Sequence, residues 1–353
     1  MADRRREYWI DTCKGLAIIF VVMGHVVTSF HNSSLLKDAV AFNYFGNLIY
    51  SFHMPLFFMI SGLLFNMSNV RNTGQAIKKR VISYGIPYVV FSVLIVVSKS
   101  VFSSIVNSSF SWKDLVGIVL YPLTFFWFLY ALLIISVVQI IIGRFERRHN
   151  QKIIITLVLV CGLVVKVATE YLPTQITAVD IKNLGLMDAC KYYIWFVIGQ
   201  YVLPLMIWRI KNNTAKKMFL PAVIIVTILY GIIVGFLQYY QIDYLAISIV
   251  MSFGGSVIVI SFSIFIDSNR LFVFVGKYTM PIYLFHGFVI SAVRICLVKL
   301  HIPLLGGSIP MIVCIVLGTA IPLGGYLLLG RIKPFDFCIY PTKYISIRSK
   351  QDT

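Results

Sequence analysis

Long apolar stretches alternate with short polar ones along the whole chain. Ten apolar stretches stand out, at roughly 9–30, 43–65, 82–106, 117–142, 153–170, 189–208, 218–240, 243–266, 273–298 and 308–331. About twenty apolar residues is the length a helix needs to cross the hydrocarbon core of a bilayer. The pattern therefore predicts an all-α integral membrane protein, a polytopic bundle of about ten transmembrane helices. The ten stretches read as one membrane-embedded domain, about 9–331, with a short basic tail at 332–353, no soluble domain and no internal repeat. The fourth stretch carries Pro122 and is expected to be kinked or partly re-entrant.

The polar breaks carry their charge unevenly. Arg4–Arg6, Arg71, Lys78–Arg80, Arg144, Arg147, Arg148, Lys152, Arg209, Lys211, Lys216, Lys217, Arg270 and the tail from Arg331 fall on one side of a ten-span chain. The other side holds little beyond Lys37, Lys113, Lys182 and Lys299. Lys and Arg collect in cytoplasmic loops, which puts both termini in the cytoplasm. The net charge of +18 then records topology, and nothing in it calls for a nucleic acid. Composition agrees: 59% of residues are hydrophobic and 12% charged, against about 25% charged in soluble domains. The N-terminus resembles a signal peptide, but it lacks a small-residue cleavage site and is interrupted by Lys14 and His25, so a retained helix is expected. Six scattered cysteines show no CxxC pair and no zinc spacing, and they read as small core residues with no metal expected.

Two residues in the first span do not belong in lipid. Lys14 and His25 are eleven positions apart, about three helical turns, so both project from one face with about 16 Å between them along the axis. Ionisable groups inside a membrane are costly, and they point to a function by default. Asp11 lies three residues before Lys14 and is placed to pair with it. The plain alternative for Lys14 is a cation that snorkels to the interface.

His25 has company. His53 falls within span two, in Phe52-His53-Met54-Pro55, and His286 within span nine, in Tyr283-Leu284-Phe285-His286-Gly287. A single membrane histidine is more often a hydrogen-bonding group between helices, whereas three at similar depth point to a site. No acid sits at mid-depth to complete a Ser-His-Asp arrangement, and no carboxylate or cysteine stands at ligand spacing from these histidines. A dry site favours the uncharged imidazole, the form that accepts a proton. Arg80 closes the loop before span three and reads equally as topology charge. Trp127-Phe128 in span four reads as a pocket wall or as lipid packing.

These residues together resemble the acyltransferase-3 family of bacterial integral membrane acyltransferases, most similar to its fucose 4-O-acetylase-like subgroup. The resemblance rests on Tyr8-Trp9-Ile10-Asp11-Thr12-Cys13-Lys14-Gly15 running to Gly24-His25, then Phe52-His53-Met54-Pro55, Phe57-Phe58, Ser61-Gly62, Arg80, Pro87, Trp127-Phe128 and Tyr283 with His286. It implies ten helices in the inner (plasma) membrane, a cytoplasmic acyl-CoA donor with acetyl-CoA foremost, and a sugar or polysaccharide hydroxyl as acceptor. It implies His25 as the leading catalytic residue, with Lys14 and Arg80 near the donor. His53 is then expected to orient His25 or to stabilise the developing oxyanion, Asp11 to stand with Lys14 at the donor, and Trp127, Tyr283 and His286 to be candidates for binding the acceptor. The family commonly has Arg where this chain has Lys14; Lys keeps the charge without the bidentate fork. Some members carry a fused extracytoplasmic esterase-like domain. Only about twenty residues follow span ten here, so a separate extracytoplasmic partner protein, or direct transfer within the membrane, is expected instead.

The rival class is a transporter, or a polysaccharide flippase or polymerase, which also has many spans and uses membrane histidines for proton relays. Such proteins usually show inverted repeats and paired broken helices. Pro55, Pro87, Pro122, Pro281 and Pro322 leave room for broken helices, and no symmetry accompanies them.

Overall fold

A helix occupies each of the predicted apolar stretches. The computed structural model describes residues 7–32, 40–65, 72–101, 116–171, 175–176, 179–180, 184–212, 216–267, 269–299 and 308–345. Arg4–Arg6, Lys37, Arg71, Lys113, Lys182 and the tail beyond 345 lie outside these residues. In chain order the helices are α1 (Tyr8–Asn32), α2 (Val40–Tyr50), α3 (His53–Leu64), α4 (Thr73–Arg80), α5 (Ile86–Val101), α6 (Trp127–Glu146), α7 (Gln151–Tyr171) and α8 (Gly185–Val197). They continue as α9 (Leu203–Asn212), α10 (Lys216–Tyr239), α11 (Leu245–Phe265), α12 (Arg270–Lys277), α13 (Thr279–Lys299), α14 (Ser308–Leu329) and α15 (Lys333–Ile339). A two-residue ladder, Gln175–Ile176 against Val179–Asp180, is the only strand pairing among the described residues. Ten segments, from Tyr8–His31 to Ile309–Leu329, are long and apolar enough to cross a bilayer. This is a multi-pass membrane protein.

Prolines explain where the helices break. Proline has no N–H for the carbonyl four residues back, and its ring crowds that carbonyl. Pro55 therefore leaves the Ser51 carbonyl without its helical donor, and span two divides there into α2 and α3. Pro281 does the same to Lys277, and span nine divides into α12 and α13. In the second pattern a single π turn absorbs the misfit: Val81–Gly85 precedes Ile86-Pro87, and Ile198–Val202 precedes Leu203-Pro204. Pro122 behaves differently from expectation. It lies in the turn before Thr124–Phe126, ahead of α6, so it does not kink a span.

A broken helix at membrane depth must find new partners for its backbone. At the α2–α3 break α11 provides them. Ser252 Oγ donates to the Ser51 carbonyl at 2.7 Å, while the Phe52 carbonyl accepts from Leu56 N–H at 2.9 Å and Ser256 Oγ donates to the Ser252 carbonyl at 2.7 Å. Ser51 and Tyr230 hydroxyls meet at 2.6 Å. Ser252→Ala removes the donor from a buried carbonyl and is expected to cost about 1–3 kcal/mol. The check is the thermal midpoint in detergent. It should fall, and adding Pro55→Ala, which returns an N–H to the Ser51 carbonyl, should recover part of the loss; an unchanged midpoint in the single variant would refute this account.

The contacts divide the chain into two compact units, residues 1–60 with 206–327 and residues 61–205 with 328–353. In the first, α1 is central and packs on α2, α11, α12 and α13. Glycines permit its closest approach, to α12: a Cβ on Gly15 would overlap the Phe272 carbonyl, and one on Gly276 the Asp11 carbonyl. Asn269 caps α12, accepting from Leu271 and Phe272 N–H at 3.1 and 3.2 Å.

In the second unit α6 packs on α4, α7 and α8. Its buried Gln139 donates to Tyr201 Oη at 2.7 Å and accepts from Tyr193 Oη at 2.9 Å, while Tyr201 donates to Glu146. The first part of the basic tail is structured. Asp336 is buried at the centre of α15, bound by Lys343 Nζ at 3.0 Å and by Tyr344 Oη at 2.9 Å.

Candidate active site

The predicted site residues of the first unit lie along α1 and the two restarted helices. Near the start of α1, Lys14 Nζ donates to Asp11 Oδ1 at 2.9 Å, with a quarter of the Lys14 side chain exposed. Trp9, Thr12 and Cys13 around them are buried, and Thr12 Oγ1 donates to the Asp267 carbonyl at 2.7 Å. Lys14 is thus a held cation rather than a loose interfacial one.

His25 and His286 come together, with ring centroids 5.0 Å apart and planes tilted by 46°. His53 lies within electrostatic reach of His25. His53 and His286 are buried, while His25 is only partly covered. Both buried rings have their tautomer set by their own helix. His53 Nδ1 is 2.9 Å from the Ile49 carbonyl, and His286 Nδ1 is 2.7 Å from the Tyr283 carbonyl. A carbonyl only accepts, so Nδ1 carries the proton in each, and Nε2 is the lone-pair nitrogen of the neutral ring. In this state Nε2 of each is the acceptor site, and the least covered of the three rings is His25.

The helix restarts place these rings. His53 is the first residue of α3, at the gap where Pro55 breaks the span, and His286 lies one turn and a half beyond Pro281. Tyr50 presses its ring edge on His53, centroids 4.9 Å apart, and its hydroxyl meets Thr28 Oγ1 at 2.7 Å, across to α1. Tyr50 and Thr28 are positioning residues that sequence reasoning passes over, because neither is unusual in a membrane helix. Tyr283 is buried one turn before His286, with ring centroids 6.1 Å apart.

Direction along the unit is set by three contacts. Asp11 meets Gly276, just before α13, and Val22 and Ile290 both lie beside Gly318 of α14. Hence α1 and α13 run the same way, with Lys14 towards one end and the imidazoles at depth.

An apolar cavity of about 820 Å³ opens among α1, α2, α10 and α11, with Phe20, Phe52, Tyr44 and Tyr230 in its wall. Its lining offers no cation, so a phosphate has no partner there. No group of three or more metal-ligating side chains occurs among the described residues.

Arg80 and Trp127 belong to the second unit. The Arg80 guanidinium lies 5.0 Å from the Phe65 ring centroid and 5.9 Å from that of Tyr84, and donates to Tyr84 Oη at 3.2 Å. Two rings hold it in place, which a charge serving topology alone would not require. Trp127 stacks on Tyr192 with centroids 5.1 Å apart.

Among known proteins, the sequence model of the acyltransferase-3 family, described as an acyltransferase domain, matches residues 7–327. No curated protein and no solved structure matches.

Proposed function

This chain belongs to the acyltransferase-3 family, and on that footing we propose that it is a membrane O-acyltransferase that moves an acetyl group from acetyl-CoA to a sugar hydroxyl of a cell-surface polysaccharide or its lipid-linked precursor. The observation that carries this reading is the partly exposed His25 packed 5.0 Å from His286, at depth, on the same helix as a held cation. We take the membrane to be the inner membrane, with both termini in the cytoplasm, as the loop charges indicate.

The chemistry needs one base. As the acceptor oxygen bonds to the thioester carbonyl, His25 takes the hydroxyl proton; the C–S bond then breaks and the proton passes to the leaving thiolate of CoA. His286, packed 5.0 Å from His25, orients its ring, and His53 lies within electrostatic reach of it. The Nδ1–H of His53 is held by the Ile49 carbonyl, which disfavours His53 as an oxyanion donor in its neutral form. Tyr283 lines the acceptor side of His286.

Lys14, oriented by Asp11, offers the donor's phosphates a charge-assisted partner about 16 Å along α1 from His25, so the pantetheine arm runs inward along this helix. In its own unit, caged Arg80 is a second cation suited to phosphate, and Trp127 stacked on Tyr192 a platform suited to a sugar. No metal takes part in this scheme.

The test is transfer of label from radiolabelled acetyl-CoA to extracted surface glycan by the purified protein in detergent. Labelled glycan and an equal release of CoA are expected. No label, together with no binding of acetyl-CoA, would overturn the reading in favour of transport. Lys14→Gln should raise KM for acetyl-CoA about 10-fold, in line with the loss of a charge-assisted bond worth about 1.5–3 kcal/mol, and leave the KM for the acceptor unchanged. An unchanged donor KM would remove Lys14 from the donor site.

A further inference from the structure

The buried stripe of α13 that carries His286 continues beyond it at intervals of four residues, through Ile282, His286, Ile290 and Arg294, all of them buried. Arg294 is 6% exposed and forms no ion pair with a carboxylate among the described residues; its electrostatic neighbour there is the Cys314 thiol, and none of its nitrogens is among the sealed, unpartnered polar atoms. The contrast with the other cations is sharp. Lys166, equally covered at 6%, holds Glu170 at 2.6 Å; Lys14 holds Asp11 and Lys343 holds Asp336. A guanidinium stays charged under all conditions a protein meets, so burial cannot neutralise it. Its stem is covered by the bundle, and no carboxylate among the described residues is spent on neutralising its head. A guanidinium within a membrane span, its head open to a ligand and neutralised by no carboxylate among the described residues, marks a place for an anion that arrives from outside the chain.

Its position says which anion. Val22 and Ile290 share Gly318, and α13 runs parallel to α1, so Arg294 lies one turn past Ile290 and away from Lys14. Along α13 it stands about 12 Å from His286, and the Lys14–His25 separation of about 16 Å lies in the opposite direction. The imidazoles therefore sit between two cations, one at each end. We propose that Arg294 binds an oxyanion, a carboxylate or a phosphate, carried by the acceptor, and so holds the acceptor with its hydroxyl towards His25. The planar fork of Arg matches both groups in a bidentate manner. That the anion belongs to the acceptor rests on the acyl-transfer reading above; the anion site itself does not. The oxyanion has two possible bearers, an acidic sugar of the glycan or the phosphate of a lipid carrier.

Binding to the full-length protein in detergent decides the soluble source, with glucuronic acid and glucose 1-phosphate as anionic probes and glucose as the neutral one. Undecaprenyl phosphate in phosphatidylcholine nanodiscs, against phosphatidylcholine alone, decides the lipid source. The wild type should prefer one anion at least 10-fold over its neutral counterpart; Arg294→Gln should lose that preference, and Arg294→Lys should keep part of it. Arg294-dependent binding of a soluble anion assigns the glycan, and of undecaprenyl phosphate alone the carrier. The proposal is overturned if wild type and Arg294→Gln, both folded by circular dichroism, bind every probe alike. It is overturned equally if Arg294→Gln melts several degrees lower with anion binding unchanged, which would make the guanidinium structural. Arg294-dependent anion binding without any acetyl transfer would sink the acyl-transfer reading and leave the site standing; transfer with anion binding unchanged in Arg294→Gln would do the reverse.

Discussion

Acetyl transfer by His25→Ala is expected to fall about 10²- to 10⁴-fold, the range a positioned general base contributes. His25 is the least covered of the three rings, His53 and His286 being buried, and it is the one assigned as base. Truncating it leaves the α2–α3 break intact, because the side-chain hydrogen bonds at that break come from Ser51, Ser252 and Tyr230. The thermal midpoint should therefore stay near the wild-type value while transfer is lost. His286→Ala, which removes an orienting neighbour, should cost less. Transfer by His25→Ala at the wild-type rate would end the base assignment. A burst of CoA release without acceptor would replace direct attack by an acyl-histidine route.

Gly276→Ala is expected to produce the largest loss of stability of any single methyl added to the first unit. A Cβ there would overlap the Asp11 carbonyl, and the obstacle is backbone rather than a side chain that turns aside. Inserting a methyl into a packed contact typically costs about 1–3 kcal/mol, and a backbone obstacle places this case at or above the upper end. Relief requires α12 to move off α1, which also disturbs Asp11 and its bond to Lys14. The expected result is a thermal midpoint lower by several degrees together with a raised KM for acetyl-CoA. Gly324→Ala is the control. Nothing lies within 4 Å of a Cβ at that position in α14, and alanine favours the helix. Equal midpoints for Gly276→Ala and Gly324→Ala would refute the close-approach account.

Most of the architecture is legible in the chain because bilayer crossing makes a coarse demand. A span needs about twenty apolar residues whatever its neighbours are, so the predicted stretches and the observed helices agree to within a few residues at most ends. The interruptions were harder to place. Pro55 and Pro122 look alike in sequence, yet the first divides a span and the second sits ahead of one. The break at Pro55 is served by Ser252, a donor two hundred residues away along the chain. Lys14, His25, His53 and His286 could be named from sequence because charge and imidazole are rare at membrane depth. Arg294 was equally rare and lay four-residue steps from His286; following that stripe would have found it.

The sequence by itself determined the class of the protein, the number of its spans, the helix face shared by Lys14 and His25, and the motifs by which its family is known. Local pattern suffices for these, since hydropathy, helical period and residue type act over a few turns. Only the tertiary structure decided that His25 is less covered than His53 and His286, that Ile49 and Tyr283 set the tautomers of the two buried rings, that Phe65 and Tyr84 hold Arg80, and that Arg294 is covered without a carboxylate. Each of these depends on what distant helices bring to within hydrogen-bonding or van der Waals distance, and a one-dimensional pattern carries no record of which turns will face one another.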